Sequence, residues 1–335
     1  MKVAAITGPR ECQIIEKPDP QIRGEFARVK ITAAPMCTEF KGYQQGQRTD
    51  TLGHEAAGEV VEVGRDRRVK PGDRVVVMPQ YPCGRCELCL AGDYIHCQHN
   101  IDPLAVCGSP SGTATYAQYC IKQDWLLLPI PEDISTVHGA MACCGLGPTF
   151  GAMQRMAVDA FDTLMVVGLG PVGLGAVVNA VFRGARVIGV ESNPYRAALA
   201  QDLGAEFIID PKDPDALMKL REATAGQGAD KVVECTAVPE AQKFAVQAAR
   251  RRGQVGFVGW GGHIELDNMI PDGLSLHGCW HWNLHDQSRL WQVIRASGPA
   301  LERMITHRFG LSQVKEAWEL QLTGQCGKVI LDPWR

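Results

Sequence analysis

No stretch of this sequence reaches the roughly 18 uninterrupted apolar residues that a membrane-crossing helix requires. Its start, MKVAAITGPRECQ, lacks the basic region and long apolar run of a secretory leader. Charge of one sign is missing too, since 34 Lys and Arg stand against 37 Asp and Glu. That balance excludes the broad basic field by which proteins hold nucleic acid or acidic membrane, and no block of like charges forms an interaction tail. Internal repeats and low-complexity linkers are also lacking. The expectation is a cytoplasmic protein that handles small or neutral ligands.

Cysteine, by contrast, is plentiful. There are 13, an odd number, and Cys83, Cys86, Cys89 and Cys97 crowd into one short loop. This suits metal binding in a reducing compartment better than a disulfide framework. Four soft thiolates from one loop match the closed tetrahedral shell of a structural zinc ion. An iron–sulfur cluster is the other metal reading, although the spacing differs from the ferredoxin runs. A closed shell leaves no position for a substrate, so chemistry is expected elsewhere.

A chain of 335 residues is expected to divide into about two domains. From Lys2 to about Leu128 it reads as short strands broken by Gly and Pro, among them 27–32, 58–63, 73–77 and 116–119. After Pro148 apolar strands alternate with helical stretches: a strand at 164–167, a helix at 171–182, strands at 186–190, 207–209, 231–234 and 254–258. That series is a parallel βαβ sheet. The segment from about Asn283 to Arg335 returns to mixed character and ends in a short strand at 328–331.

Gly168-Leu169-Gly170-Pro171-Val172-Gly173 follows the first of those strands and opens its helix. The first glycine permits a tight turn, the second lets backbone approach a pyrophosphate, and the third lets helix and strand pack closely. A phosphate then meets free N–H groups at the helix N-terminus. Glu191, at the end of the next strand, is placed to accept hydrogen bonds from the adenosine ribose and to repel a 2′-phosphate, favouring NAD over NADP. Arg196 nearby is the competing residue, suited to greeting that phosphate.

A second metal site is expected in the first domain, where Cys37, His54 and Cys144 offer two thiolates and an imidazole. Three protein ligands with one open position are the arrangement of a catalytic zinc. Here the chain resembles the zinc-containing medium-chain dehydrogenase/reductase family, which includes alcohol, sorbitol and threonine dehydrogenases. The resemblance rests on Gly53-His54-Glu55 with Gly58, Lys70-Pro-Gly-Asp-Arg-Val75, the Cys83 to Cys97 loop, Gly168 to Gly173, Gly228-Ala-Asp230 leading to Glu234-Cys235, and Ile305-Thr-His-Arg-Phe309.

It implies an α/β architecture: a GroES-like β-barrel catalytic domain of residues 1–146 and 283–335, and a Rossmann doubly wound parallel-sheet domain of residues 147–282, with the functional cleft between them. By position, the resemblance puts the catalytic ligands on Cys37, His54 and Cys144, with Cys143 as the neighbour that takes the third place if the alignment shifts by one. Glu55 falls in or next to the metal's shell, and Lys328 on a basic position that in relatives reaches the coenzyme phosphates. An exposed lysine at a strand start is its competing reading.

The family usually reads Cys, any residue, Ser or Thr, then Asp, whereas this chain has Cys37-Thr38-Glu39-Phe40. The proton is expected to leave through Thr38 or Glu39. Trp280-His281-Trp282-Asn283 reads either as a wall of the substrate pocket or as packing at an interface.

The implied activity is NAD-dependent and zinc-dependent oxidation of a secondary alcohol, polyol or amino alcohol, in a homodimer or homotetramer holding two zinc ions per chain. Two rivals remain at this point: a zinc-free NADPH-dependent reductase of quinones or conjugated double bonds on the same fold, and an inactive NAD-binding homologue.

Overall fold

The computed structural model describes residues 1–65, 68–264 and 269–335. They form two compact units, the first of residues 1–145, 283–295 and 305–335, the second of residues 146–282 and 296–304. The stretch 296–304, expected in the first unit, belongs to the second because helix Gly298–Met304 packs on helix Pro171–Phe182. No helix among the described residues is long and apolar enough to cross a membrane.

In the first unit a strand pair, Lys2–Gly8 with Glu11–Glu16, lies beside a mostly antiparallel seven-stranded sheet. Strand Phe26–Pro35 is its organiser. It pairs antiparallel with Ala56–Val63, Tyr119–Gln123 and the end of Lys328–Asp332. Alternation explains its fit: Val29 and Ile31 are fully buried, while the half-buried Arg28 and Lys30 that alternate with them stack on Tyr119 and Trp334. Val29 and Ile31 join Val60, Val75, Val77, Trp318 and Val329 in one core. Each such buried Val or Ile contributes about 1.5–3 kcal/mol.

The second unit is built on a six-stranded parallel sheet in the order Phe207–Ile209, Arg186–Val190, Thr163–Val167, Ala229–Glu234, Ala249–Phe257, Ser275–Gly278. Numbered along the chain this is 3-2-1-4-5-6, the doubly wound order of dinucleotide-binding folds. The order reverses beside Thr163–Val167, so the loop after that strand sits at the switch point. Its strands are apolar on both faces because helices cover both, and Leu164, Met165, Val166 and Val167 are all buried.

Candidate functional site

The first cluster is assembled by three strand ends. Cys37 lies two residues past strand Phe26–Pro35, and Glu55 just precedes strand Ala56–Val63, which runs antiparallel to it with Ala33 opposite Ala57. On its other side Ile330 stands opposite Pro35, which brings Lys328 to the same end. Cys144 arrives from the turn after helix Thr136–Ala140, which packs on strand Arg74–Val77. One ligand atom each from Cys37, His54, Glu55 and Cys144 lies within 4.8 Å of the others.

His54 points Nε2 at the Cys144 sulfur, 3.2 Å away, and Nδ1 at Glu39 Oε1, 2.7 Å away. Glu39 Oε2 accepts from the Tyr116 hydroxyl at 2.9 Å and the Cys37 N–H at 3.2 Å. The Lys328 ammonium donates to Glu55 Oε1 at 2.7 Å, both side chains fully buried, and Glu55 Oε2 is buried with no hydrogen-bond partner.

Charge in this cluster is strongly organised. A hydrogen bond from the Cys144 thiol holds the Cys37 thiol well below its usual value, and His54 and Lys328 add to this against burial. That bond, with burial, raises Cys144. Burial by itself raises Glu39, yet the positive His54 ring and the hydrogen bonds to Glu39 hold it at about 2. Burial pushes Glu55 up to about 7 against the pull of Lys328.

Two thiols, an imidazole and a carboxylate at mutual ligand distance, one oxygen of that carboxylate being buried without a partner, fit a divalent cation such as zinc. Removing one partner of a fully buried ion pair leaves an uncompensated charge. Lys328→Met is therefore expected to lower unfolding free energy by roughly 3–5 kcal/mol in denaturant titrations. A loss within experimental error would contradict the burial of this pair.

The second cluster is the four-cysteine lobe. Cys83 precedes the short helix Glu87–Leu90, Cys86 caps it, Cys89 lies in it, and Cys97 ends the turn Tyr94–His96. The sulfurs of Cys86 and Cys89 are 3.5 Å apart, Cys86 and Cys97 3.8 Å, and Cys97 and Cys83 3.6 Å. Four sulfurs each about 2.3 Å from a tetrahedral zinc stand about 3.8 Å apart, so the lobe fits the ion. The N–H groups of Cys83 and His99 donate to the Cys97 sulfur, and hydrogen bonds from the Arg85 backbone first among several hold Cys83 at about 6.

The glycine loop of the second unit turns at Gly168, φ +84°, after strand Thr163–Val167. Gly170 caps helix Pro171–Phe182, where Pro171 and the half-buried Val172 form the first turn. Glu191 Oε2 accepts from the Leu169 N–H at 3.0 Å and Oε1 from the Asn193 N–H at 2.9 Å, which fixes the acid beside the loop. The Nη1 of Arg196 lies 4.0 Å from where a Cβ on Gly170 would stand, and its Nε is buried without a hydrogen-bond partner. Open glycine backbone, a helix N-terminus, a fixed acid and an unpaired guanidinium N–H fit an adenine dinucleotide.

A Cβ on Gly173 would stand 1.8 Å from the Gly168 carbonyl oxygen. Overpacking of that kind costs about 1–3 kcal/mol. Gly173→Ala is thus expected to weaken coenzyme binding about tenfold or more in a fluorescence titration. Unchanged affinity would remove this loop from the coenzyme site.

The structure places each of the remaining candidates. Thr38 is exposed at the start of helix Glu39–Gln45 and makes no side-chain cap bond, so the side chain reaching the histidine is that of Glu39. Lys328 is neither exposed nor free for a coenzyme phosphate, because its ammonium is buried on Glu55. Cys143 is fully buried with its thiol on the Val77 carbonyl, and Cys144 is the one that joins the cluster. The run 280–283 is dispersed: His281 and Trp282 are buried in the second unit, while Asn283 donates to Ala91 O and Asp93 Oδ1 of the four-cysteine lobe. The half-buried Trp280 packs edge-on against the exposed Trp260 at 5.0 Å. Sequence reasoning missed Tyr116 in the histidine cluster, a contact that spans 77 residues and leaves no local pattern.

Comparison with known proteins gives a consistent picture. Residues 171–296 match a family described as zinc-binding dehydrogenase, and residues 25–132 match the alcohol dehydrogenase GroES-like domain. The chain is 31% identical to L-threonine 3-dehydrogenase of Symbiobacterium thermophilum, covering 95% of this chain and 93% of that protein. It is 29% identical to sorbitol dehydrogenase of Bacillus subtilis, covering 100% and 98%. Among solved structures, zinc dependent alcohol dehydrogenase 2 from Streptococcus pneumonia superposes with a TM-score of 0.85 at 25% identity, covering 99% and 98%.

Proposed function

Because the chain belongs to the zinc-containing medium-chain dehydrogenase/reductase family, we propose that it transfers a hydride between a secondary alcohol, polyol or amino alcohol and NAD. The observation that carries this reading is the convergence of Cys37, His54 and Cys144 with Glu55 at ligand distance. Two thiolates and an imidazole are the protein ligands that leave a catalytic zinc one open position for a substrate oxygen. When bound, zinc supplies a Lewis acid that lowers the pKa of the substrate hydroxyl, and NAD supplies the hydride acceptor.

The chain's own residues prepare the site. Glu39 holds His54 by Nδ1 and so aims Nε2 at the ligand cluster. Lys328 pairs with one Glu55 oxygen and leaves the other buried without a hydrogen bond, on a carboxylate that lies at ligand distance from the cluster. In the second unit Glu191 meets the adenosine ribose, and its negative charge selects NAD over the phosphorylated coenzyme. The four-cysteine lobe holds a second zinc with a structural role. Relatives named for sorbitol and L-threonine support a secondary hydroxyl on a polyol or amino alcohol as the substrate class.

The test is a panel of secondary alcohols, polyols and hydroxyamino compounds, followed by NADH absorbance with NAD and NADP side by side. Reduction of NAD by at least one class is expected, with NADP poorer. Absence of reduction of either coenzyme across the panel would overturn the proposal.

A further inference from the structure

The reading above leaves Glu39 with an unusual task. The carboxylate that orients the histidine stands two residues after Cys37, where the resembling family has a hydroxyl residue, and Phe40 occupies the family's usual acid position. Glutamate has one more rotatable bond than aspartate, so it must be pinned if it is to fix an imidazole. The structure shows the pins. One oxygen meets His54 Nδ1, and the other takes the Tyr116 hydroxyl and the Cys37 N–H.

Tyr116 is itself rigidly seated. It is fully buried and packs against Trp318 at 6.2 Å. Its backbone N–H donates to Leu52 O and its carbonyl accepts from Ala4 N–H. Gly53, φ +84°, lies on the edge of its ring: a Cβ there would stand 2.6 Å from Tyr116 Cδ1 and 2.2 Å from Thr115 Oγ1. The phenol therefore touches both the residue before His54 and the acid bonded to it. Burial, reinforced by Glu39, keeps its hydroxyl protonated and hence a donor.

We propose that Tyr116 is a positioning residue for the metal-ligating imidazole, acting through a Tyr116–Glu39–His54 hydrogen-bond chain that fixes the ring's tautomer and orientation. The inference rests on the reading of His54 as a catalytic-zinc ligand. Outer partners of ligating histidines change metal affinity by about 10–100-fold when removed. The chain predicts the same sensitivity one bond further out, because without the phenol that oxygen of the longer acid keeps only the longer bond from the Cys37 N–H.

The experiment uses the zinc-loaded chain with Tyr116→Phe, Glu39→Gln and the double variant. Phenylalanine keeps the ring on Gly53 and Trp318, so folding is preserved. Zinc release to a chelator is followed at both sites, and the visible spectrum is recorded after cobalt(II) is placed in the catalytic site. Tyr116→Phe is expected to speed release from the catalytic site about tenfold, to shift the cobalt spectrum and to leave the four-cysteine zinc unchanged. In the Glu39→Gln background the same substitution is expected to add nothing, since both act on one chain of bonds.

Unchanged release and spectrum in Tyr116→Phe would overturn the proposal. So would additive effects in the double variant, or equal acceleration at both sites, which mark a packing role. If the unmutated chain holds only one zinc, the metal-site reading fails first, and that outcome is visible before any variant is made.

Discussion

His54→Ala is expected to leave each chain with one zinc instead of two and to lower alcohol oxidation about a thousandfold or more. The imidazole is engaged at both nitrogens, with Nε2 at 3.2 Å from the Cys144 sulfur and Nδ1 on Glu39. Its loss leaves two thiols and a carboxylate already engaged by Lys328. A Lewis acid contributes several kcal/mol to stabilising charge in the transition state, and about 4 kcal/mol is a factor near a thousand. The remaining zinc should be bound by the four-cysteine lobe, whose sulfurs are a separate cluster. Metal analysis and steady-state rates on the same sample check both halves. Full activity with a single zinc would show that the chemistry is elsewhere.

Cys89→Ser is expected to produce the opposite pattern. Serine's oxygen is a poor replacement for a soft thiolate, so the lobe loses its ion while the Cys37, His54 and Cys144 cluster keeps its own. Structural zinc supplies on the order of 10 kcal/mol to the folding of small units. Besides the ion, the lobe is held by a one-turn helix, a one-turn 3-10 segment, the N–H bonds onto Cys97, the Asn283 amide on Ala91 and Asp93, and the buried Tyr94 edge-on to Trp125. The lobe should open, with rapid proteolytic cleavage between Cys83 and Cys97 and a lower melting temperature. Protease resistance equal to the unmutated chain, with zinc content down by one, would show that the lobe folds without metal.

The parallel-sheet unit was the most legible part of the chain. Helix Pro171–Phe182 and strands Arg186–Val190 and Phe207–Ile209 fall where the apolar runs, Pro171 and the glycines put them, because every signal used is local. Elements without such signals were not. Helix Glu39–Gln45 contains Gly42 and buries only Tyr43, so it carries no apolar stripe. The strand read at 116–119 begins only at Tyr119, since Thr115 and Tyr116 spend their N–H groups on the Leu52 carbonyl.

The metal clusters divide along the same line. Four cysteines in one loop declare themselves by spacing, whereas Cys37, His54 and Cys144 gain meaning together only from family resemblance and strand register. Lys328 shows the limit clearly. Gly327-Lys328-Val329-Ile330 reads correctly as a strand start, but only the pairing of Ile330 with Pro35 reveals that its side chain turns inward to Glu55. Glu39 and Tyr116 likewise meet only after folding.

The decisive measurement is NADH formation from the panel's best alcohol by enzyme stripped of its more labile zinc and then given back one equivalent. Activity should vanish with that single ion and return with it, while the four-cysteine zinc stays bound throughout. Undiminished NAD reduction by the one-zinc enzyme would contradict a catalytic zinc at Cys37, His54 and Cys144.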